Sequence, residues 1–148
     1  NWYNTRMSTH SEFCRHLLSH TRPLVEDIIA YADSAIEGKN SAVANLRFGH
    51  DYYLLALLGA ISFNECRSDI DVRDVAKFGE EWRGYRMITM ASNLQMVLYR
   101  SKKSEDVLVR FLHNENDVTL PIESETAPFY KWNDVKSYLL KRLDYLSK

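Results

Sequence analysis

Residues 46–51 carry the side chains of this sequence that are best suited to phosphoryl chemistry. The run reads Leu-Arg-Phe-Gly-His-Asp, so His50 and Asp51 are adjacent and Arg47 lies three residues before the histidine. An imidazolium can bind a phosphate oxygen, and a neighbouring carboxyl group can give its proton to a departing alkoxide. A guanidinium can contact the same substrate, or it can pair with an acid. The candidate catalytic residues are therefore His50 and Asp51, and Arg47 is a candidate substrate-binding residue.

The segments on either side of this run predict that the pair lies where a strand ends and a helix begins. Residues 42–48 are apolar except for Asn45 and Arg47, a pattern typical of a strand covered on both faces. Residues 52–59 are rich in Leu and lack β-branched side chains, which predicts a buried helix ending near Gly59. Such a junction places side chains at the carboxyl edge of a sheet, beside a helix N-terminus that attracts anions.

The rest of the chain predicts two more helices and a hairpin. Thr21 and Pro23 open a predicted helix that Gly38 closes. The charged turn after residue 100 joins two runs of β-branched and apolar residues, 93–100 and 107–113, which predict the hairpin. His113, beside Asn114, is predicted to be a turn residue. Further predictions are a short helix at 72–82, a strand at 118–120 and a final helix capped by Asn133. The predicted buried faces are Leu24, Ile28, Tyr31, Ala32 and Ala35 in the first helix and Val135, Leu139, Leu143 and Leu146 in the last.

Composition excludes several classes of protein. A chain of 148 residues forms one domain, and a net charge of -1 argues against a protein that neutralises a nucleic-acid backbone. No apolar run approaches the roughly 20 residues of a membrane-spanning helix. Cys14 and Cys66 allow at most one disulfide, and two unrelated buried thiols are the simpler interpretation. His16 and His20 have a zinc-compatible spacing but no apparent third ligand, so we expect no metal site.

Five stretches, in order, resemble the histidine acid phosphatases. Phe48-Gly49-His50-Asp51 with the following Leu54-Leu55-Ala56-Leu57-Leu58 is similar to the second active-site motif of that family. Residues 91–100, Ala-Ser-Asn-Leu-Gln-Met-Val-Leu-Tyr-Arg, resemble the next strand of multiple inositol polyphosphate phosphatases, which are phytase-like enzymes. Residues 107–114, 118–121 and 129–130 continue the likeness in the same order, so that it covers most of the chain from about residue 24 onward.

The resemblance implies a fold and assigns roles to particular residues within it. The implied fold is a phosphoglycerate mutase-like α/β domain, a three-layer sandwich with a mixed sheet flanked by helices, of which residues 1–148 form the C-terminal portion. In this family a histidine in an Arg-His-Gly-x-Arg-x-Pro motif attacks phosphorus, and that motif is absent from the 148 residues. By family order it would lie in an N-terminal part upstream of Asn1. What carries over is His50 as the phosphate contact and Asp51 as the proton donor to the leaving inositol oxygen.

The same resemblance sets expectations about substrate, cofactor, partner and compartment. The substrate would be an inositol phosphate such as phytate, and the reaction requires no cofactor. A partial sheet leaves an open edge, which we expect the missing N-terminal part or another copy to cover. The family is usually exported, so we expect a periplasmic, cell-surface or secreted protein.

Two other interpretations of the His-Asp pair remain open. One is a metal-dependent phosphohydrolase of the HD type, whose pair lies within a helical metal site rather than after a strand. The other is a catalytically inert fragment or a phosphate-binding module, because a chain without the nucleophile cannot complete the reaction.

Overall fold

The computed structural model describes residues 12–66 and 84–148, which form five helices and four strands. The helices are α1 (Glu12–Ser19), α2 (Arg22–Ile36), α3 (Asp51–Ile61), α4 (Gly84–Met87) and α5 (Trp132–Leu146), with a 3₁₀ turn at Asn64–Cys66. The strands are β1 (Leu94–Arg100), β2 (Val107–His113), β3 (Asn116–Val118) and β4 (Phe129–Lys131). The predicted helix at 72–82 lies outside the described residues.

The sheet is antiparallel and is built around β2. Strand β1 pairs with β2 along all seven residues, from Leu94 facing His113 to Arg100 facing Val107. On the other side of β2, β3 pairs with its last three residues and β4 with Leu108 to Arg110. The predicted hairpin is thus confirmed. The predicted strand at 118–120 lies instead at residues 116–118, because the turn at Asn114 and Glu115, both with positive φ, brings the chain back sooner.

The hydrophobic core lies between one face of this sheet and the helices. Side chains at odd positions of β2 are buried and those at even positions are half-buried, as expected of a strand with one covered face. Helix α5 buries the predicted face, which confirms that amphipathic pattern. The predicted cap is wrong, because the N-cap is Lys131 and Asn133 lies within the first turn. The central cluster joins α2, α3 and α5 to the sheet, and its fully buried members include Leu58, Phe63, Val109, Phe111 and Val135.

Helix α2 has the predicted bounds but a shifted buried face. Its buried residues are Val25, Ile29 and Ala32, whereas of the predicted face only Ala32 is buried. Apolar residues occur four apart on two neighbouring stripes of this helix, Leu24 with Ile28 and Val25 with Ile29, and the packing selects the second.

Helix α3 continues past its predicted end. It passes through Gly59 to Ile61, and residues 55–61 are all buried. The left-handed residue that ends it is Ser62, with φ of 65°, and the Ser62 N–H donates to the Leu58 carbonyl at 2.9 Å. Gly59 is therefore a buried residue inside the helix rather than its end.

The predicted strand at 42–48 is wrong. This stretch has no helix or strand assignment, and residues 41–50 are all exposed, with Val43 fully exposed and Phe48 93% exposed. An apolar run becomes a buried strand only when another strand pairs with it, and none of the described strands pairs with this one. The His-Asp pair is therefore at a helix start but not at a sheet edge.

The coarse fold class agrees with the expectation of an α/β protein, since helices cover an open four-stranded sheet. All described strand pairs are antiparallel, so the mixed, three-layer arrangement stays a prediction. Among the described residues, no helix combines the length and the apolar character needed to cross a bilayer.

Candidate functional site

His50 and Asp51 occupy the first positions of α3. His50 is the residue before the helix, with an extended backbone (φ -78°, ψ 153°), and its carbonyl accepts from the Tyr53 and Leu54 N–H groups at 3.1 and 3.4 Å. This is the usual backbone geometry of an N-cap, although the imidazole makes no capping hydrogen bond. Both side chains are exposed. The pair is thus presented to solvent at the positive end of the helix dipole, where an anion is favoured.

Aromatic rings orient the imidazole of His50. The ring stacks on that of Tyr52 with centroids 5.5 Å apart and planes inclined by 11°, and Tyr52 in turn contacts the ring of Tyr53 at 4.4 Å. Tyr52 is half-buried, so it can serve as a fixed support for the exposed imidazole. The stack covers one face of the imidazole and leaves the ring accessible from solvent.

The carboxyl group of Asp51 is tied to the start of its own helix. Its Oδ1 accepts from the Tyr52 N–H at 2.8 Å, which satisfies one of the amide groups that a helix N-terminus leaves without an internal acceptor. The side chain stays exposed, so it remains accessible from solvent.

Arg47 does not join this pair. Its Nη1 donates to Asp27 Oδ2 on α2, in an ion pair that leaves both side chains partly exposed. Of the two roles that the sequence left open, the structure shows the pairing with an acid. A substrate contact by Arg47 would require this ion pair to open.

The sequence interpretation missed a buried Cys–His contact. Cys66 Sγ lies 3.9 Å from His113 Nδ1, and His113 is only 8% exposed, so its assignment as a turn residue is wrong. It is the last residue of β2 and faces the core like Val107, Val109 and Phe111. The two-residue periodicity of 107–113 is the signal that could have identified it.

The contact between Cys66 and His113 does not produce a reactive thiolate. Burial, aided by nearby Glu65, raises the pKa of the Cys66 thiol to about 12, and burial lowers the pKa of His113. A thiol–imidazole contact between neutral groups results, whereas a catalytic cysteine needs a stabilised thiolate. We therefore assign Cys66 and His113 to the core rather than to the candidate site.

The other histidine pair lies on the surface. His16 and His20 contact each other edge to face with ring centroids 5.0 Å apart, and both are exposed. Within residues 12–66 and 84–148, no group of three or more His, Cys, Asp or Glu side chains converges in a way that could hold a metal ion.

Comparison with protein-family models and with characterised proteins found no match to this sequence. The likeness to histidine acid phosphatases accordingly rests on the residues quoted above.

Proposed function

We propose that this chain supplies the phosphate-contacting imidazole and the proton-donating carboxyl group of a histidine acid phosphatase that acts on inositol polyphosphates. The observation that carries the proposal is the placement of His50 and Asp51, adjacent and exposed, at the start of α3. A phosphate seated there would accept hydrogen bonds from the imidazolium and would be favoured by the positive end of the helix dipole. The ordered likeness around the pair supplies the substrate class.

The roles of the two residues divide along the reaction. His50, stacked on Tyr52, stabilises charge on the transferring phosphoryl group. Asp51 gives its proton to the inositol oxygen as the P–O bond breaks, so that an alcohol rather than an alkoxide departs. The attacking histidine, which the 148 residues lack in its motif, would come from the N-terminal part that the likeness implies. The same likeness leads us to propose an exported protein and the mixed three-layer sheet.

A test of the Asp51 role compares leaving groups in the complete gene product. We expect Asp51→Asn to slow phosphate release from phytate by roughly 10²–10⁴-fold, the usual contribution of a general acid. Release from p-nitrophenyl phosphate should fall far less, because a nitrophenolate departs without a proton. The matched control is Asp134→Asn, since Asp134 is also an exposed acid in the first turn of a helix. Equal losses on both substrates would contradict the role of proton donor.

The alternative of an inert phosphate-binding module makes a different prediction. In that case the complete gene product would release no phosphate, while the 148-residue chain would still show His50 chemical-shift changes on titration with inorganic phosphate. Under the proposed function, the complete product turns over phytate and the isolated chain binds phosphate without turnover.

A further inference from the structure

Residues 42–48 have no helix or strand assignment and pair with no described strand. It reads Ala-Val-Ala-Asn-Leu-Arg-Phe, and Val43, Leu46 and Phe48 are each more than three-quarters exposed. Single exposed apolar residues are ordinary, but three large ones within seven residues form a surface that soluble proteins usually cover. The segment is held to its own chain by the surface ion pair between Arg47 and Asp27.

Strand β1 is an open edge of the sheet among the described residues. The Asn114 N–H donates to the Asn93 carbonyl at 3.0 Å, just beyond the pair in which Leu94 faces His113. Hydrogen-bonded and non-bonded pairs alternate along an antiparallel ladder, so the backbone groups of Leu94, Met96 and Leu98 point away from β2. These outward N–H and C=O groups can accept another strand.

The unpaired segment and the open edge have matching patterns. Each has seven residues, and in each the side chains alternate between an apolar side and a mixed side. The apolar side of β1 packs against the core, so an added strand with the same alternation would extend that core at its edge. The apolar sides are Ala42, Ala44, Leu46 and Phe48 in the segment and Leu94, Met96 and Leu98 in β1, where the exposed Arg100 ends that side of the strand. The mixed sides are Val43, Asn45 and Arg47 in the segment and Gln95, Val97 and Tyr99 in β1.

We propose that residues 42–48 of one copy pair as a strand with β1 of a second copy, and that the exchange is reciprocal. Donor and acceptor are on the same chain, so a two-fold arrangement satisfies both edges in both copies and closes the assembly at two. Two exchanged strands bury on the order of 1,000 Å² or more, within the range of stable interfaces. The exchange must break the contact of Arg47 with Asp27, an exposed ion pair of the kind that contributes little. It can also displace the exposed hydrogen bond from the Ala42 N–H to Asn40 Oδ1 at 3.0 Å.

The test measures the mass and the amide protection of the 148-residue chain. Light scattering across a concentration series should show a rise from 17.3 kDa to twice that mass. Hydrogen exchange at 42–48 should be fast in the dilute chain and slowed in the dimer. The double variant Ala44→Pro with Asn45→Pro removes a ladder donor in either strand phase and should weaken dimerisation at least 100-fold. Ser41→Pro, in the same exposed stretch but outside the strand, is the control.

Three results would overturn the proposal. The first is a single-chain mass up to millimolar concentration. The second is a dimer that survives the double proline variant. The third is protection of residues 42–48 in the single chain, which would place the strand on its own molecule. Circular dichroism checks that each variant folds, and the exposure of residues 41–45 indicates that it will.

Discussion

His50 and His113 differ in access to water, and this difference determines what each imidazole can do. His50 is exposed at a helix start, where water and solutes can reach its imidazole. His113 is buried at the end of β2, with Cys66 beside Nδ1 and, among the described residues, no hydrogen-bond partner for Nε2. A charge at His113 would be costly, so its neutral form is part of the folded state.

Acidification should therefore weaken the fold through His113. Burial lowers its pKa below the ordinary 6.5, so below that pH the unfolded chain binds a proton that the folded chain does not. Its contribution is complete above pH 6.5 and is lost as pH falls toward the lowered pKa, at up to about 1.4 kcal/mol per pH unit. We expect His113→Leu to reduce the loss of stability between pH 7 and 5.5, measured by urea unfolding. His16→Gln, at an exposed histidine, is the control, and identical slopes for the two variants would refute the assignment.

At the scale of elements, α3 and the segment before it contrast in burial. Leu58 is fully buried, whereas Leu46 is 76% exposed. Both residues belong to the run from strand to helix that the sequence predicts, but only the helix is covered by the rest of the molecule.

Truncating these two leucines should give very different results. Leu58→Ala leaves a cavity in the core and should cost about 2–5 kcal/mol of unfolding free energy. Leu46→Ala truncates a side chain that is already exposed to solvent, and it should change the unfolding free energy by less than about 0.5 kcal/mol in dilute protein. Denaturant unfolding of both variants checks this. If Leu46→Ala lowered the unfolding free energy by several kcal/mol at low concentration, Leu46 would be buried, as the strand predicted from the sequence requires.

The elements predicted correctly are those specified by local pattern. Helix α5, the hairpin of β1 and β2 and the start of α3 follow from periodicity and turn residues that lie within each segment. The segment at 42–48 and the buried face of α2 depend on which neighbour covers them, and a single sequence does not state this. At the site, the adjacency of His50 and Asp51 is evident from sequence. The stacking of His50 on Tyr52 and the pairing of Arg47 with Asp27 depend on the folded conformation.

At the scale of the molecule, hydrogen bonds and ion pairs join α2 and α5 near both ends. Near the end of α2, Asp33 accepts from Trp132 Nε1 at 2.8 Å and from Lys136 Nζ at 2.6 Å. At its start, Arg22 Nη2 donates to Asp144 at 3.0 Å. The two helices therefore run antiparallel, and residues about a hundred positions apart in sequence hold them together.

Removing the carboxyl group of Asp33 should loosen this connection. Burial opposes its ionisation, but hydrogen bonds from Lys136 and Trp132 outweigh burial, and the pKa of Asp33 is lowered. The ionised carboxylate of Asp33 therefore stabilises the folded state above about pH 4, and this stabilisation is lost at lower pH. We expect Asp33→Ala to cost about 1–3 kcal/mol at pH 7, since the buried indole N–H loses its acceptor. Asp33→Asn, which keeps an acceptor, should cost less.

Urea unfolding at pH 7 and pH 3 measures both effects, and Asp27→Ala serves as the control because Asp27 is an exposed acid on the same helix. If Asp33→Ala proved no more destabilising than Asp27→Ala, the tie between α2 and α5 would not be a significant source of stability.

The buried position of Trp132 also provides an intrinsic fluorescence probe. Trp132 is 3% exposed and is bonded through its ring nitrogen, and the other tryptophans, Trp2 and Trp82, are outside the described residues. With Trp2→Phe and Trp82→Phe, a single chromophore would remain at the junction of α2 and α5. Its emission should shift to longer wavelength when that junction separates, so fluorescence would follow the docking of two specific helices in real time.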